Sequence, residues 1–186
     1  MLRPVAPGAG LSSRLREAYN PAMLRLIRDF EQRVDSDTRD LIFRGLFSSI
    51  FLGLGSEHLL DDRLLQHFMP AWVGYPMLAS RLSGVVLLSG GLSILTGYHM
   101  RLGARLLGAF LVLVTLAVHL PGCFHVPPDI ASDYAWLWIV FQRSNLVKNV
   151  CLFGVCVHLT TQAPGRFSVD GWRARRLAAL ANGAKH

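Results

Sequence analysis

Five ionisable residues and one amide stand in or beside stretches that are otherwise apolar: Glu57, His58, Arg81, His119 and Lys148, with Asn145. A charged side chain in the middle of a bilayer costs at least about 2.5–3.5 kcal/mol, so groups of this kind turn inward and pair. Glu57 beside Arg81 or Lys148 offsets the desolvation of both partners. A histidine next to such a pair, His119 here, titrates near neutral pH. A pocket of this make-up suits a small anion, a quinone headgroup or a proton relay. A quinone carbonyl requires a hydrogen-bond donor and, on reduction, a proton, and His and Lys supply both. The competing reading is structural: Glu57 and Arg81 simply tie two helices together.

Other chemistry has less support. Cys123, Cys151 and Cys156 form no C-x-x-C pair, so neither a zinc knuckle nor a dithiol site is expected, and no metal site is assigned. There is no P-loop, dinucleotide fingerprint or nucleophile elbow. No covalently bound cofactor is expected, no residue is assigned a catalytic role, and any electrons would come from a redox partner protein.

The elements that position these residues follow from the distribution of charge. The chain is 52% hydrophobic and 17% charged, against roughly 25% charged in soluble domains. Residues 45–56, 82–98, 106–118 and 149–164 contain no Asp, Glu, Lys or Arg. A soluble helix needs a polar face recurring every ~3.6 residues, and these stretches have none. The fold class expected is therefore all-α: an integral membrane four-helix bundle with an amphipathic N-terminal and a basic C-terminal helix. The spans are expected at Leu41–Leu60, Leu78–Gly97, Leu102–Leu120 and Asn145–Gln162. They divide the chain into a cytoplasmic tail (1–40), a transmembrane domain (41–162) and a basic cytoplasmic tail (163–186). In the first tail Met23, Leu26, Ile27, Phe30 and Val34 share one helical face. In the last, Asp170 caps a helix running to Asn182.

Basic residues set the orientation. Arginines crowd the segment before the first span, Arg101 and Arg105 flank the second-to-third turn, and Arg166, Arg173, Arg175, Arg176 and Lys185 follow the fourth span. The other two links hold Arg63 and Arg143. Both termini are thus expected in the cytoplasm, in a multi-pass inner-membrane protein. The net charge of +7 is assigned to this topology and to the lipid bilayer's anionic headgroups, with no nucleic-acid partner. In this topology all four spans deliver the six polar residues to the outer leaflet. Glycines and serines between Ser83 and Gly97 form a small-residue surface suited to close helix packing.

The motifs, in order, are Arg44-Gly45, then Gly53-x-Gly55-Ser-Glu57-His58-Leu-Leu, then the glycine-rich run from Gly84 to Gly97. Arg101-Leu-Gly-Ala104-Arg105 follows, then a helix ending in His119, and Asn145-Leu-Val-Lys148. Across about residues 41–160 the chain resembles the DoxX-like family of small four-helix membrane proteins. That family takes its name from a relative forming part of a thiosulfate:quinone oxidoreductase. The resemblance implies fold and membrane location, and with them a membrane subunit associated with a quinone-linked oxidoreductase system. The alternative is a non-enzymatic membrane scaffold that binds a partner through its tails. Many relatives carry an acid about one turn before the paired glycines of the second helix. Here Leu87 and its neighbours are apolar, so thiosulfate oxidation is not carried over.

Overall fold

A computed structural model describes residues 35–60, 69–70, 72–128 and 130–183, together with Ala22, Met23, Arg25 and Asp29. Most of the expected N-terminal amphipathic face, Leu26, Ile27, Phe30 and Val34, lies outside the described residues, as does most of the first interhelical link. The chain divides into two compact units, residues 1–39 and 40–186.

The described residues form helices and no strand: α1 (Ser36–Leu60), α2 (Pro76–Thr96), α3 (Met100–Val114), α4 (Ala135–Leu159) and α5 (Val169–Gly183). The α3 helix continues through a π-helical turn, Thr115–His119, and a last turn, Leu120–Gly122. Local chemistry explains the boundaries. The Asp35 carboxylate accepts the Thr38 N–H at 2.7 Å and caps α1. Pro76 opens α2, where its fixed φ is already helical and its missing N–H is not needed. At the other end Gly97 takes φ +65°, and the Tyr98 N–H reaches back to the Ser93 carbonyl at 3.1 Å. This tight reversal sends α3 back along α2. Ser168, not Asp170, caps α5: its Oγ accepts the Gly171 N–H at 3.0 Å. Asp170 stands in the first turn, where a carboxylate complements the helix dipole.

Helices α1 to α4 pack antiparallel in chain order, and glycines set their spacing. A Cβ at Gly55 would lie 2.9 Å from Leu88, at Gly84 2.9 Å from Leu59, and at Gly90 2.4 Å from Leu107. The small-residue surface of α2 is therefore a packing surface on both of its neighbours. Phe47, Phe51, Leu87, Ile94, Met100, Ala104, Leu107, Leu111, Cys156 and Leu159 form the core.

The outward faces are also apolar. Leu46 is 72% exposed, Leu113 64% and Val147 60%. Two helices, Pro76–Thr96 and Met100–Gly122, are long and apolar enough to cross a membrane, and only 33% and 28% of their most apolar windows are buried. The core helix of a soluble protein would be mostly covered. Water does not tolerate so much contiguous apolar surface.

The fourth helix differs from expectation. It begins at Ala135 rather than Asn145, because Trp136, Trp138 and Phe141 extend its apolar pattern upstream instead of forming a loop. Asn145 and Lys148 consequently sit in mid-helix.

Candidate functional site: two polar seams

The antiparallel order brings the end of α1, the start of α2, the end of α3 and the first half of α4 to one end of the packed helices. Polar groups gather there on two seams. On the α1–α2 seam His58 Nδ1 lies 2.9 Å from the Oγ of Ser80, which is fully buried. Glu57 and Arg81 are exposed on the same two helices, and among the described residues neither forms an ion pair. The expected Glu57–Arg81 and Glu57–Lys148 pairings are not formed.

The α3–α4 seam is built around the π turn. Pro121 has no N–H to donate, and its ring crowds the carbonyl of Ala117, so the ladder before it cannot keep an i→i−4 register. The helix widens instead, and the Leu120 N–H bonds to the Thr115 carbonyl five residues back. His119 closes this turn, with Nδ1 2.8 Å from Gln142 Oε1. An amide oxygen only accepts, so Nδ1 carries a proton, and in the neutral ring Nε2 keeps its lone pair. Nε2 has no hydrogen-bond partner among the described residues.

One turn further along α4, Asn145 Nδ2 donates to the Phe141 carbonyl at 3.0 Å. This anchor presents Asn145 Oδ1 to the Lys148 ammonium, which donates to it at 2.7 Å. Lys148 lies close enough for its charge to act on His119. Asn149 Nδ2 donates to Thr115 Oγ1 at 3.2 Å, tying α4 to the start of the π turn. The outer rim is held by Trp138, whose Nε1–H is shared between the Gly122 and His125 carbonyls at 3.0 and 3.1 Å. Gly122 lets Gln142 approach, since a Cβ there would meet the Gln142 side chain at 2.7 Å.

Of the six expected site residues, the structure brings His119, Asn145 and Lys148 into one seam and places His58 on the other. Gln142, Asn149, Thr115 and Ser80 were not singled out from sequence. Gln142, Asn145 and Asn149 recur at i, i+3 and i+7 on one helical face. That signal becomes visible once the helix starts at Ala135.

The opposite end carries a different arrangement. Arg44 is fully buried. Its Nε donates to the Asp40 carboxylate at 2.9 Å, Nη1 to the Leu95 carbonyl at 2.7 Å and Nη2 to the Phe167 carbonyl at 3.0 Å. One side chain thus joins α1, the end of α2 and the segment entering α5. The Asp170 N–H adds a bond to the Gly97 carbonyl at 3.1 Å.

The outward faces of these helices are largely apolar, with Glu57, Arg81 and Arg143 as exposed charges on them. Residues 40–120 match the DoxX family model, and this match supports a DoxX-like assignment for that segment. Family and apolar helices together point to a membrane protein. No curated protein and no solved structure matches the chain.

Proposed function

We propose that this chain is a DoxX-like inner-membrane subunit of a quinone-linked oxidoreductase system, and that its α3–α4 seam receives the quinone headgroup. In this reading α1 to α4 all span the bilayer, both termini are cytoplasmic, and the seam lies toward the outer leaflet. The observation that carries it is the state of His119. One ring nitrogen is fixed by Gln142, the other is open, and the Lys148 ammonium stands nearby at a π turn. Turns of this kind recur at functional sites.

Reduction of a quinone to a quinol takes two electrons and two protons. The electrons come from a redox partner protein. Lys148 donates a hydrogen bond to one carbonyl oxygen and His119, once protonated, to the other, and both pass protons on to those oxygens. Asn145 holds the ammonium and Gln142 the imidazole, so the donors are positioned before the headgroup arrives. His58 lies on the neighbouring seam, and Glu57 and Arg81 are exposed on the helices beside it, outside the quinone site.

The test is binding of a short-chain ubiquinone to detergent-purified protein. Saturable binding that is lost in His119→Ala and Lys148→Met, at unchanged thermal stability, supports the reading. Glu57→Gln should bind as wild type does. Wild-type protein that binds no quinone would overturn the proposal.

A non-enzymatic scaffold is favoured by one feature, the exposed α5 helix with Trp172, Leu177 and Leu180 uncovered. Removing residues 169–186 would then abolish partner capture, and emptying the α3–α4 seam would not.

A further inference from the structure

A cavity of about 370 Å³ lies at the opposite, basic end of the helices, between the start of α3, the end of α4 and the start of α5. Its lining includes His99, Arg101, Arg105, Gln162 and Asp170. The Arg101 Nε donates to the Gln162 carbonyl at 3.1 Å, which fixes the plane of the guanidinium. Its two terminal nitrogens make no hydrogen bond among the described residues. Arg105, one helical turn on, has neither a hydrogen bond nor an ion pair among the described residues.

Two like charges at i and i+4 repel each other. Among the described residues, Asp170 is the one carboxylate lining the cavity, and it is paired with neither arginine. The cavity therefore carries unbalanced positive charge, presented by guanidinium groups whose fork matches the oxygens of a phosphate. On the membrane topology proposed above, on which this inference rests, the cavity opens at the level of the inner-leaflet headgroups. Arg166, Arg173, Arg175 and Arg176 extend the positive field around it. Basic pockets between helices on the cytoplasmic side are suited to anionic headgroups for this reason.

We propose that the cavity formed by Arg101 and Arg105 between α3, α4 and α5 binds the phosphate of an anionic phospholipid of the inner leaflet. The lipid would neutralise the arginine pair, its acyl chains lying along the exposed apolar faces of Leu102 and Leu106. Because α5 begins at the same cavity, the bound lipid would also hold the basic helix against the membrane surface.

The experiment compares phosphatidylglycerol with phosphatidylcholine bound to the full chain in one detergent, counted by native mass spectrometry, with thermal unfolding read in parallel. Wild-type protein is expected to prefer phosphatidylglycerol. Arg101→Gln/Arg105→Gln should weaken that preference about thirtyfold, from roughly 1 kcal/mol per arginine at a membrane surface. The control Arg173→Gln/Arg175→Gln/Arg176→Gln, which removes only surrounding field, should lose distinctly less of it than the double variant. Should the double variant fail to fold, Asp170→Asn decides: removing the lone carboxylate should tighten phosphatidylglycerol about fivefold. Equal binding of the two lipids by wild type, a preference kept by the double variant, or one lost as fully in the α5 control would overturn the site. Inorganic phosphate displacing the lipid completely at equal concentration would overturn the lipid assignment in favour of a free anion. If the membrane reading itself fails, the protein will stay soluble without detergent, a result distinct from any lost lipid preference.

Discussion

Arg44 and His119 stand at opposite ends of the same helices, and each is a cation or potential cation placed among apolar residues. Their partners differ. Arg44 is fully buried and spends Nε, Nη1 and Nη2 on two backbone carbonyls and one carboxylate. Backbone acceptors cannot rotate away, so this junction has one arrangement and joins three parts of the chain. His119 is half-buried and is held by a side-chain amide, with one ring nitrogen still open. Its neighbours Lys148 and Asn145 are side chains on one helix turn. Saturation by backbone makes a lock, whereas side-chain partners with spare capacity can exchange protons and take a ligand.

That contrast predicts a graded set of outcomes. The largest effect belongs to Arg44→Met, which leaves Asp40 unpaired and two carbonyls without donors. It should cost about 3–5 kcal/mol, read by thermal unfolding in micelles, while whatever protein remains folded still binds quinone. Quinone affinity falling without a stability loss would break the comparison, because it would make Arg44 part of the ligand site.

Gly97→Ala should be next. A side chain at φ +65° is strained, and its Cβ would lie 2.3 Å from the Ser168 Cβ. A loss of about 2 kcal/mol is expected, accompanied by faster proteolysis of α5 as the Ser168 segment is pushed off the turn. Unchanged protease resistance would show that α5 is not held by this junction.

Gly122→Ala acts on the other seam. It should displace Gln142 from His119 and cost only about 1 kcal/mol, yet weaken quinone binding clearly in a titration. A variant that melts earlier with normal quinone affinity would assign the seam to structure alone. Smallest of all, Asn149→Ala removes one interhelical bond to Thr115 and should cost about 0.6 kcal/mol, just resolvable by denaturant titration.

Much of this architecture is legible in the amino-acid order. Uncharged runs locate the apolar cores of the helices, because charge is excluded wherever no face meets water. The glycines and serines of α2 mark close packing, since only small residues let backbones approach. His58 and His119 reach one end of the molecule because successive helices run in opposite directions. Local pattern reads less well where an element's start is ambiguous. Trp136, Trp138 and Phe141 suit an interfacial loop as well as a helix, and of the three only Trp138 is buried, against the end of the α3 segment. The upstream extension of α4 moves Asn145 and Lys148 to mid-helix and brings Gln142 to His119.

What the sequence by itself determined is the helical class, the apolar segments, the family likeness and the polar residues available for chemistry. All of these depend on composition and short-range periodicity. Which polar residues meet was decided by the tertiary structure alone. The meeting of His119 with Gln142, the clearance at Gly122 and the bonds of Arg44 to Leu95 and Phe167 depend on contacts between residues far apart in the chain. Interactions of that range leave no local period to read.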